Sequence, residues 1–256
     1  MNLIDTHTHI YLDDFDDDRD DMIQRALEQG VEKLLLPNID EESIDGMLQL
    51  ENQFPNQCFP MMGLHPTSVN ENYKKKLDVI RAWLQRRKFC AIGEIGIDLY
   101  WDKTFLNEQK DAFSEQILLA IDYNLPIVIH ARDSFNEIFE VLDSHANDKL
   151  KGVFHSFGGS IDQAEKALSY KGFKLGINGV VTFKNSGLDK VIEQLSLSDL
   201  VLETDAPYLT PTPFRGKRNE PAYLSYIVDK LSEIYGVSKE DVANVTTQNA
   251  KALFNL

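Results

Sequence analysis

Eight short apolar segments alternate with longer amphipathic segments along this 256-residue chain. The apolar segments show no polar alternation, as expected of parallel strands that are buried on both faces. Most of the longer segments space their apolar residues as helices do. This order predicts a (β/α)8 barrel of the TIM type, regular or distorted, with a doubly wound open sheet as the alternative. The predicted strands are 3–4, 33–36, 58–63, 90–92, 126–129, 152–154, 173–177 and 200–202.

Length and composition favour a single barrel domain over residues 1–256. A barrel of about 250 residues is a standard size, and no linker or low-complexity stretch divides the chain. No Gly-x-Gly-x-x-Gly motif follows a predicted strand, which counts against an open dinucleotide-binding sheet. No apolar run reaches the ~18 residues of a membrane helix, and the N-terminus lacks a signal-like segment. We therefore expect a cytoplasmic protein without a membrane partner.

The net charge of −15 argues against binding nucleic acid through a general basic surface. A local site remains compatible with this charge, because bound divalent cations can be the largest positive charges in a pocket. The basic clusters at 74–76 and 86–88 fall in helical patterns, where a solvated helix face explains them. Arg215, Lys217 and Arg218 instead fall in a loop rich in proline and glycine, where that explanation is weaker.

Six side chains of metal-binding type stand at or just past the ends of the predicted strands. In a barrel the carboxyl ends of all strands meet at one mouth, so side chains far apart in sequence come together there. Any one of them could be an ordinary hydrogen-bonded residue, but six together favour a metal site. Imidazoles mixed with carboxylates suit Zn²⁺, Mn²⁺ or Ni²⁺, with Mg²⁺ on the carboxylates. The six are His7, His9, Glu94, His130, His155 and Asp205.

Seven motifs with specific spacing follow one another along the chain. They are His7-x-His9, Gly63-Leu-His65-Pro66, Gly93-Glu94-Ile-Gly96-Ile-Asp98, Pro126-x-x-x-His130-x-Arg132, His155-Ser-Phe157-Gly158-Gly159, Glu203-Thr-Asp205-Ala-Pro207 and Arg215-Gly-Lys217-Arg218-Asn219-Glu220-Pro221. In this order they resemble the motifs of the TatD family of metal-dependent deoxyribonucleases, within the wider amidohydrolase-like barrels. The resemblance runs from residue 5 to the C-terminal helical segment.

The resemblance implies a centre with two divalent metal ions, which we expect to be Mg²⁺, Mn²⁺ or Zn²⁺. His7, His9 and Asp205 would hold one ion, and His130 and His155 would hold the other. Glu94 would bridge the two ions. Such a pair of ions activates a shared water for attack on a substrate.

The resemblance also implies catalytic roles for Asp205, His65 and Glu203, and an orienting role for Asp98. Asp205 would accept the proton of the attacking water. His65 would bind a phosphate oxygen or protonate the leaving oxygen. Glu203, together with Asp98, would orient imidazoles or water.

Substrate contacts are expected from basic and aromatic residues. Arg132, Arg215, Lys217 and Arg218 would grip phosphates that flank the cleaved bond. Tyr100 and Trp101, after strand 4, could stack on a base or serve as packing residues, and packing is slightly favoured.

Three functions remain open at this point. The first is cleavage of phosphodiester bonds in DNA, from an end and on a single strand or strand terminus. The second is hydrolysis of carboxyl-ester or amide substrates such as aminoacyl-tRNA by the same metal chemistry. The third is a binding protein without catalysis, against which the full ligand set argues. No dedicated protein partner is indicated.

Overall fold

Eight short parallel strands follow one another around a ring in the computed structural model, which describes residues 1–145 and 147–256. Each strand pairs with the next strand in sequence, except at two junctions where neighbouring strands only lie side by side. This is the order of a (β/α)8 barrel. The strands are β1 (Leu3–Asp5), β2 (Val31–Leu36), β3 (Cys58–Pro60), β4 (Ile92–Asp98), β5 (Ile127–Arg132), β6 (Gly152–Phe154), β7 (Phe173–Ile177) and β8 (Leu200–Leu202).

Helices fill the connections between strands, as the amphipathic segments predict. Two of them begin at serines whose side chains accept a hydrogen bond from the third helical residue, which satisfies a free backbone N–H. None of the helices in the described ranges has the length and apolar character needed to cross a membrane. They are α1 (Arg19–Glu28), α2 (Ser43–Gln53), α3 (Tyr73–Arg86), α4 (Leu106–Tyr123), α5 (Phe135–Ser144), α6 (Ile161–Ser169), α7 (Leu188–Ile192), α8 (Leu224–Tyr235) and α9 (Lys239–Phe254).

Two junctions close the ring. Strands β1 to β3 form one parallel ladder and β4 to β8 form another. Between β3 and β4, the N–H of Met62 donates to the carbonyl of Ala91 over 3.1 Å. Between β8 and β1, the N–H of Thr6 donates to the carbonyl of Leu202 over 2.9 Å. These bonds leave few unpaired strand edges, so the predicted barrel is confirmed in a mildly distorted form.

The barrel interior is filled by apolar side chains from five of the strands and from residues that adjoin β3 and β4. The C-terminal end of α9 packs into the same cluster and against β1 and β8. Thr247 of α9 donates a hydrogen bond to the carbonyl of Asn2, before β1, so α9 covers the amino end of the barrel. The carboxyl end is thereby left for polar side chains. The interior residues are Ile4, Leu35, Met61, Ala91, Val128, Val153 and Val201, with Ala250, Leu253 and Phe254 from α9.

Strand β4 differs from the sequence expectation. The prediction ended this strand at Ile92 and placed Glu94 beyond it, but β4 continues to Asp98. A Cβ atom on Gly93 would lie 2.7 Å from the Cβ of Val128, so glycine allows β4 and β5 to approach closely. The ladder between these strands shifts register between Ile92 and Ile95. Glu94 therefore lies inside the strand, at this irregularity.

Candidate metal centre

Glu94 stands between two sets of imidazoles at the carboxyl end of the barrel. Its Oε2 lies 3.1 Å from Nε2 of His7 and 3.7 Å from Nε2 of His9. Its Oε1 lies 2.7 Å from Nδ1 of His130 and 3.5 Å from Nε2 of His155. Each carboxylate oxygen thus faces its own pair of histidines. This arrangement is what a carboxylate between two cations requires.

Asp205 joins the first of these sets from the loop after β8. Its Oδ1 lies 3.6 Å from Nε2 of His9 and 3.7 Å from Nε2 of His7. The backbone of Asp205 is left-handed, with φ of 59°, and its N–H donates to the carbonyl of His7 over 2.9 Å. The loop after β8 is therefore tied directly to the segment that carries the histidine pair.

The donor atoms at the centre fit a cation. Nε2 of His7 and Nε2 of His9 are buried and lie only 3.2 Å apart, while both face the same oxygen of Glu94. Nδ1 of His7 has no hydrogen-bond partner among the described residues. Within residues 1–145 and 147–256, three groups have ligand atoms close enough to hold an ion: His7, His9 and Glu94; His7, His155 and Glu203; and His65, Glu94 and His130.

Neighbouring groups set which ring nitrogen faces the centre. The hydroxyl of Tyr11 donates to the carbonyl of Pro37 over 2.6 Å, so it accepts from Nδ1–H of His9 at 3.0 Å. Nε2 of His9 then keeps its lone pair toward the centre. Oε1 of Glu203 lies 3.1 Å from Nδ1 of His155 and accepts the N–H of Ser156. Such outer partners are typical of histidines that bind metals.

His65 differs from His9, because its protonated ring nitrogen faces the centre. Its Nδ1 accepts the backbone N–H of Thr67 over 3.1 Å. A neutral imidazole with Nδ1 as acceptor carries its proton on Nε2. That Nε2 lies 3.4 Å from Oε1 of Glu94, inside the cavity. His65 therefore presents a donor to the centre, which suits a hydrogen bond to substrate better than a bond to metal.

Burial and charge move the pKa values of these groups apart. Burial holds the pKa of His7 well below its usual value and lowers that of His9 to about 4, so both rings are neutral at pH 7. Burial also disfavours the charged form of His155, but the carboxylates of Glu203, Glu94 and Asp205 outweigh it and raise the pKa to about 10. Burial raises the pKa of the Asp205 carboxyl to about 7, against the lowering effect of His155.

The centre opens into a cavity of about 750 Å³ at the barrel mouth. Two smaller cavities adjoin it, one beside Trp101 and one beside Arg132. The wall of the main cavity combines the candidate ligands with two exposed aromatic rings, those of Trp101 and Tyr208. Lining residues include His9, His65, Glu94, His130, His155, Asp205, Asp98, Trp101, Arg132 and Tyr208.

The four basic residues that were predicted to bind substrate lie in different surroundings. Arg132, at the end of β5, lines the cavity. Arg215 and Lys217 are exposed in the loop before α8, and the guanidinium of Arg215 lies 3.6 Å from the ring centroid of Phe183. Arg218 instead pairs with Asp18 at 2.7 Å. The structure thus brings only Arg132 to the cavity wall.

The sequence expectation for Trp101 and Tyr100 was wrong in favouring packing. Both side chains are exposed, and Trp101 lines the cavity. Two further residues of the centre, Asp5 and Tyr11, were missed. A signal existed for both, because they extend the alternate-residue pattern of His7 and His9 on either side.

Comparison with known proteins decides the family. The family described as "TatD related DNase" matches residues 4–255 of the chain. The chain belongs to the TatD family. The expected resemblance is therefore confirmed over nearly the full length.

Several TatD-family relatives cover almost the whole chain. An uncharacterized metal-dependent hydrolase of Bacillus subtilis, YabD, is 35% identical over 99% of this chain and 99% of its own. The "3'-5' ssDNA/RNA exonuclease TatD" of Pantoea vagans is 31% identical over 94% of this chain and 95% of its own. The crystal structure of YjjV, a TatD homologue from Escherichia coli, superposes with a TM-score of 0.93 at 32% identity, covering 99% and 98% of the two chains. The chain is thus a metal-dependent hydrolase of the TatD family.

Proposed function

We propose that this TatD-family hydrolase cleaves phosphodiester bonds of DNA at the end of a single strand, with a water activated by two divalent metal ions. The observation that carries the proposal is Glu94, whose two oxygens face two separate pairs of imidazoles. The Pantoea relative, described as an exonuclease of single-stranded DNA and RNA, supports the choice of substrate.

The six donor residues would divide between the two ions. His7, His9 and Asp205 would hold the first ion, and His130 and His155 the second. Glu94 would bridge them. When bound, Mg²⁺, Mn²⁺ or Zn²⁺ would lower the pKa of a shared water and offset charge on the phosphoryl oxygens.

Asp205 is suited to accept the proton of the attacking water. Its Oδ1 lies 3.6 Å from Nε2 of His9 and 3.7 Å from Nε2 of His7, so it would stand next to a water held by the first ion. Its backbone bond to His7 fixes the carboxylate beside the first set of ligands. Glu203 would act one step further out, because its Oε1 lies 3.1 Å from Nδ1 of His155, close enough to orient the ring with Nε2 toward the centre.

His65 and the basic residues would bind phosphates of the DNA strand. The Nε2–H of His65 would donate to a phosphate oxygen or to the leaving oxygen. Arg132 would contact a phosphate inside the cavity. Arg215 and Lys217 would meet the strand farther from the cleaved bond, while Arg218 would do so only by giving up its pair with Asp18.

The test is cleavage of end-labelled single-stranded DNA by the purified protein with Mg²⁺ or Mn²⁺. We expect stepwise loss of nucleotides that a chelator and His130→Ala both abolish. The matched control is His145→Ala, since His145 ends α5 far from the mouth and bonds to Ser114. Intact DNA with metal bound, together with cleavage of aminoacyl-tRNA or para-nitrophenyl esters, would overturn the nuclease proposal in favour of ester hydrolysis.

A further inference from the structure

Two neighbouring aromatic side chains in the loop after β4 are exposed near the metal centre. Trp101 is 71% exposed and Tyr100 is 54% exposed. Such rings are usually buried for most of their surface, so an exposed pair beside a cavity indicates a surface that contacts a binding partner. Trp101 lines both the main cavity and a smaller one of about 280 Å³, which lies between the loops after β3 and β4. The indole therefore stands at the boundary between the two.

The pair is held in place by a cation and by edge-to-face packing. The guanidinium of Arg132 lies 4.0 Å from the ring centroid of Tyr100 and 5.6 Å from that of Trp101. The two aromatic rings are perpendicular, with centroids 4.9 Å apart. Because Arg132 covers Tyr100, the indole of Trp101 is the most accessible aromatic surface of the group.

A single carboxylate connects this aromatic group to the metal centre. Oδ1 of Asp98 accepts the backbone N–H of Tyr100 at 2.9 Å and that of Trp101 at 3.3 Å. Oδ2 of Asp98 lies 2.9 Å from Nε2 of His130, whose other nitrogen faces Glu94. The backbone that carries the indole is thus fixed relative to a proposed metal ligand.

We propose that Trp101, supported by Tyr100 and Arg132, is the surface on which a nucleobase next to the cleaved phosphate stacks. This inference rests on the proposed function and narrows its substrate to unpaired nucleic acid. Every base has a flat π-face, so stacking tolerates any sequence, while bases within a duplex already stack on their neighbours. The positive charge of Arg132 beside the indole places a phosphate partner next to the stacked base.

Intrinsic fluorescence tests the contact directly. The chain has two tryptophans, Trp83 and Trp101, so Trp83→Phe leaves Trp101 as the sole indole. Adding Asp205→Asn prevents hydrolysis during the titration. With Mg²⁺ present, oligothymidylate is expected to quench Trp101 fluorescence, and an abasic oligonucleotide of equal length to bind about five- to a hundredfold more weakly with little quenching. Equal binding and equal fluorescence changes with both oligonucleotides would overturn the proposal.

Steady-state kinetics provide a second test. Trp101→Ala is expected to raise KM for oligothymidylate about tenfold and to leave KM for the abasic oligonucleotide unchanged. Trp101→Phe should restore most of the loss, because a phenyl ring still stacks. Trp83→Phe serves as the control. An unchanged KM in Trp101→Ala, or equal losses with both substrates, would contradict stacking.

These experiments distinguish failure of the stacking proposal from failure of the nuclease proposal. Cleavage of single strands without base-dependent quenching of Trp101 would overturn the stacking surface and leave the nuclease proposal standing. Base-dependent quenching without any cleavage by the parent protein would support the stacking surface and overturn the proposed reaction.

Discussion

The carboxylate of Asp5 accepts two hydrogen bonds from Thr204, which lies 199 positions later in the chain. The backbone N–H of Thr204 donates to Oδ1 over 2.9 Å, and its hydroxyl donates to Oδ2 over 2.5 Å. The N–H of His7 also donates to Oδ1, over 3.2 Å. One buried carboxylate thus fixes the segment of the histidine pair and the segment of Asp205 at the junction of β1 and β8.

We expect Asp5→Asn to change how stability depends on pH. Burial raises the pKa of Asp5 to about 8, although its hydrogen bonds with Thr204 oppose this rise. The folded state therefore binds this proton more tightly than the unfolded chain does. The stability contribution of protonated Asp5 is complete below pH ~4 and is lost as pH rises toward 8.

The measurement is urea unfolding of parent and variant from pH 5 to 8, with a chelator so that metal loading does not contribute. An asparagine does not titrate, so Asp5→Asn should gain stability relative to the parent as pH rises. Asp5→Ala is the comparison: it does not titrate either, so its profile should run parallel to that of Asp5→Asn and lie about 1–3 kcal/mol below it, since buried donors lose their acceptor. Parallel profiles for parent and Asp5→Asn would contradict the assignment.

Gly176→Ala is expected to weaken metal binding from outside the ligand set. A Cβ atom at this position in β7 would lie 2.7 Å from Cδ of Glu203. Displaced Glu203 would release Nδ1 of His155, and loss of such an outer partner typically costs 10- to 100-fold in metal affinity. Metal content after dialysis against a graded chelator measures the effect.

Gly46→Ala is the matched control for this glycine substitution. Gly46 lies in α2, where the nearest atom to an added Cβ is the carbonyl oxygen of Tyr11 at 3.7 Å. Alanine in a helix is favoured by up to about 1 kcal/mol, so this variant should keep its metal and unfold at the same or a higher temperature. Full metal retention by Gly176→Ala would show that Glu203 does not position His155.

Glu94→Ala should remove all bound metal, because both sets of imidazoles share this carboxylate. Inductively coupled plasma mass spectrometry of the purified variant gives the metal content per chain. His145→Ala should match the parent in the same assay. Retention of half the parental metal in Glu94→Ala would mean that one set binds its ion independently and that Glu94 does not bridge.

Substitutions of Arg215 and Arg218 should have different effects: Arg218→Ala on stability and Arg215→Ala on substrate binding. Arg218 and Arg25 hydrogen-bond to the carboxylate of Asp18 and lower its pKa to about 2. Arg218→Ala should therefore lower the melting temperature, by an amount that corresponds to roughly 1 kcal/mol for a partly exposed pair.

Arg215→Ala should lower the melting temperature less than Arg218→Ala does, because Arg215 is exposed and contacts only the ring of Phe183, without an acidic partner among the described residues. Its effect should appear as a higher KM for DNA and as a smaller slope of log affinity against log salt, by about one. A loss of stability in Arg215→Ala with unchanged KM would assign it a structural role instead.

Local patterns were sufficient to place the strands and to select the six candidate ligands. Each strand is a short apolar run, and His130 and His155 follow or end such a run directly. The extent of β4 could not be foreseen, because Gly93 and Gly96 resemble strand breakers in sequence. In the fold they let β4 and β5 approach closely, and Glu94 comes to lie inside the strand.

Residues that act through distant partners were beyond sequence reasoning. Nothing local distinguishes the stacking and packing alternatives for Trp101, and only the shape of the rim leaves its ring exposed. Arg218 stands beside Lys217 in a basic run, yet it reaches back to Asp18, 200 residues earlier. Such pairings depend on how loops fold over the barrel mouth.

The fold class and the residue types at the strand ends could be predicted from local patterns, because burial imposes a periodicity that each segment carries within itself. The three-dimensional fold was needed to show how the two oxygens of Glu94 are shared between imidazoles, how Asp5 joins the first strand to the last, and which aromatic ring stays exposed. These are contacts between segments far apart in the chain, and ring closure of the barrel sets their distances.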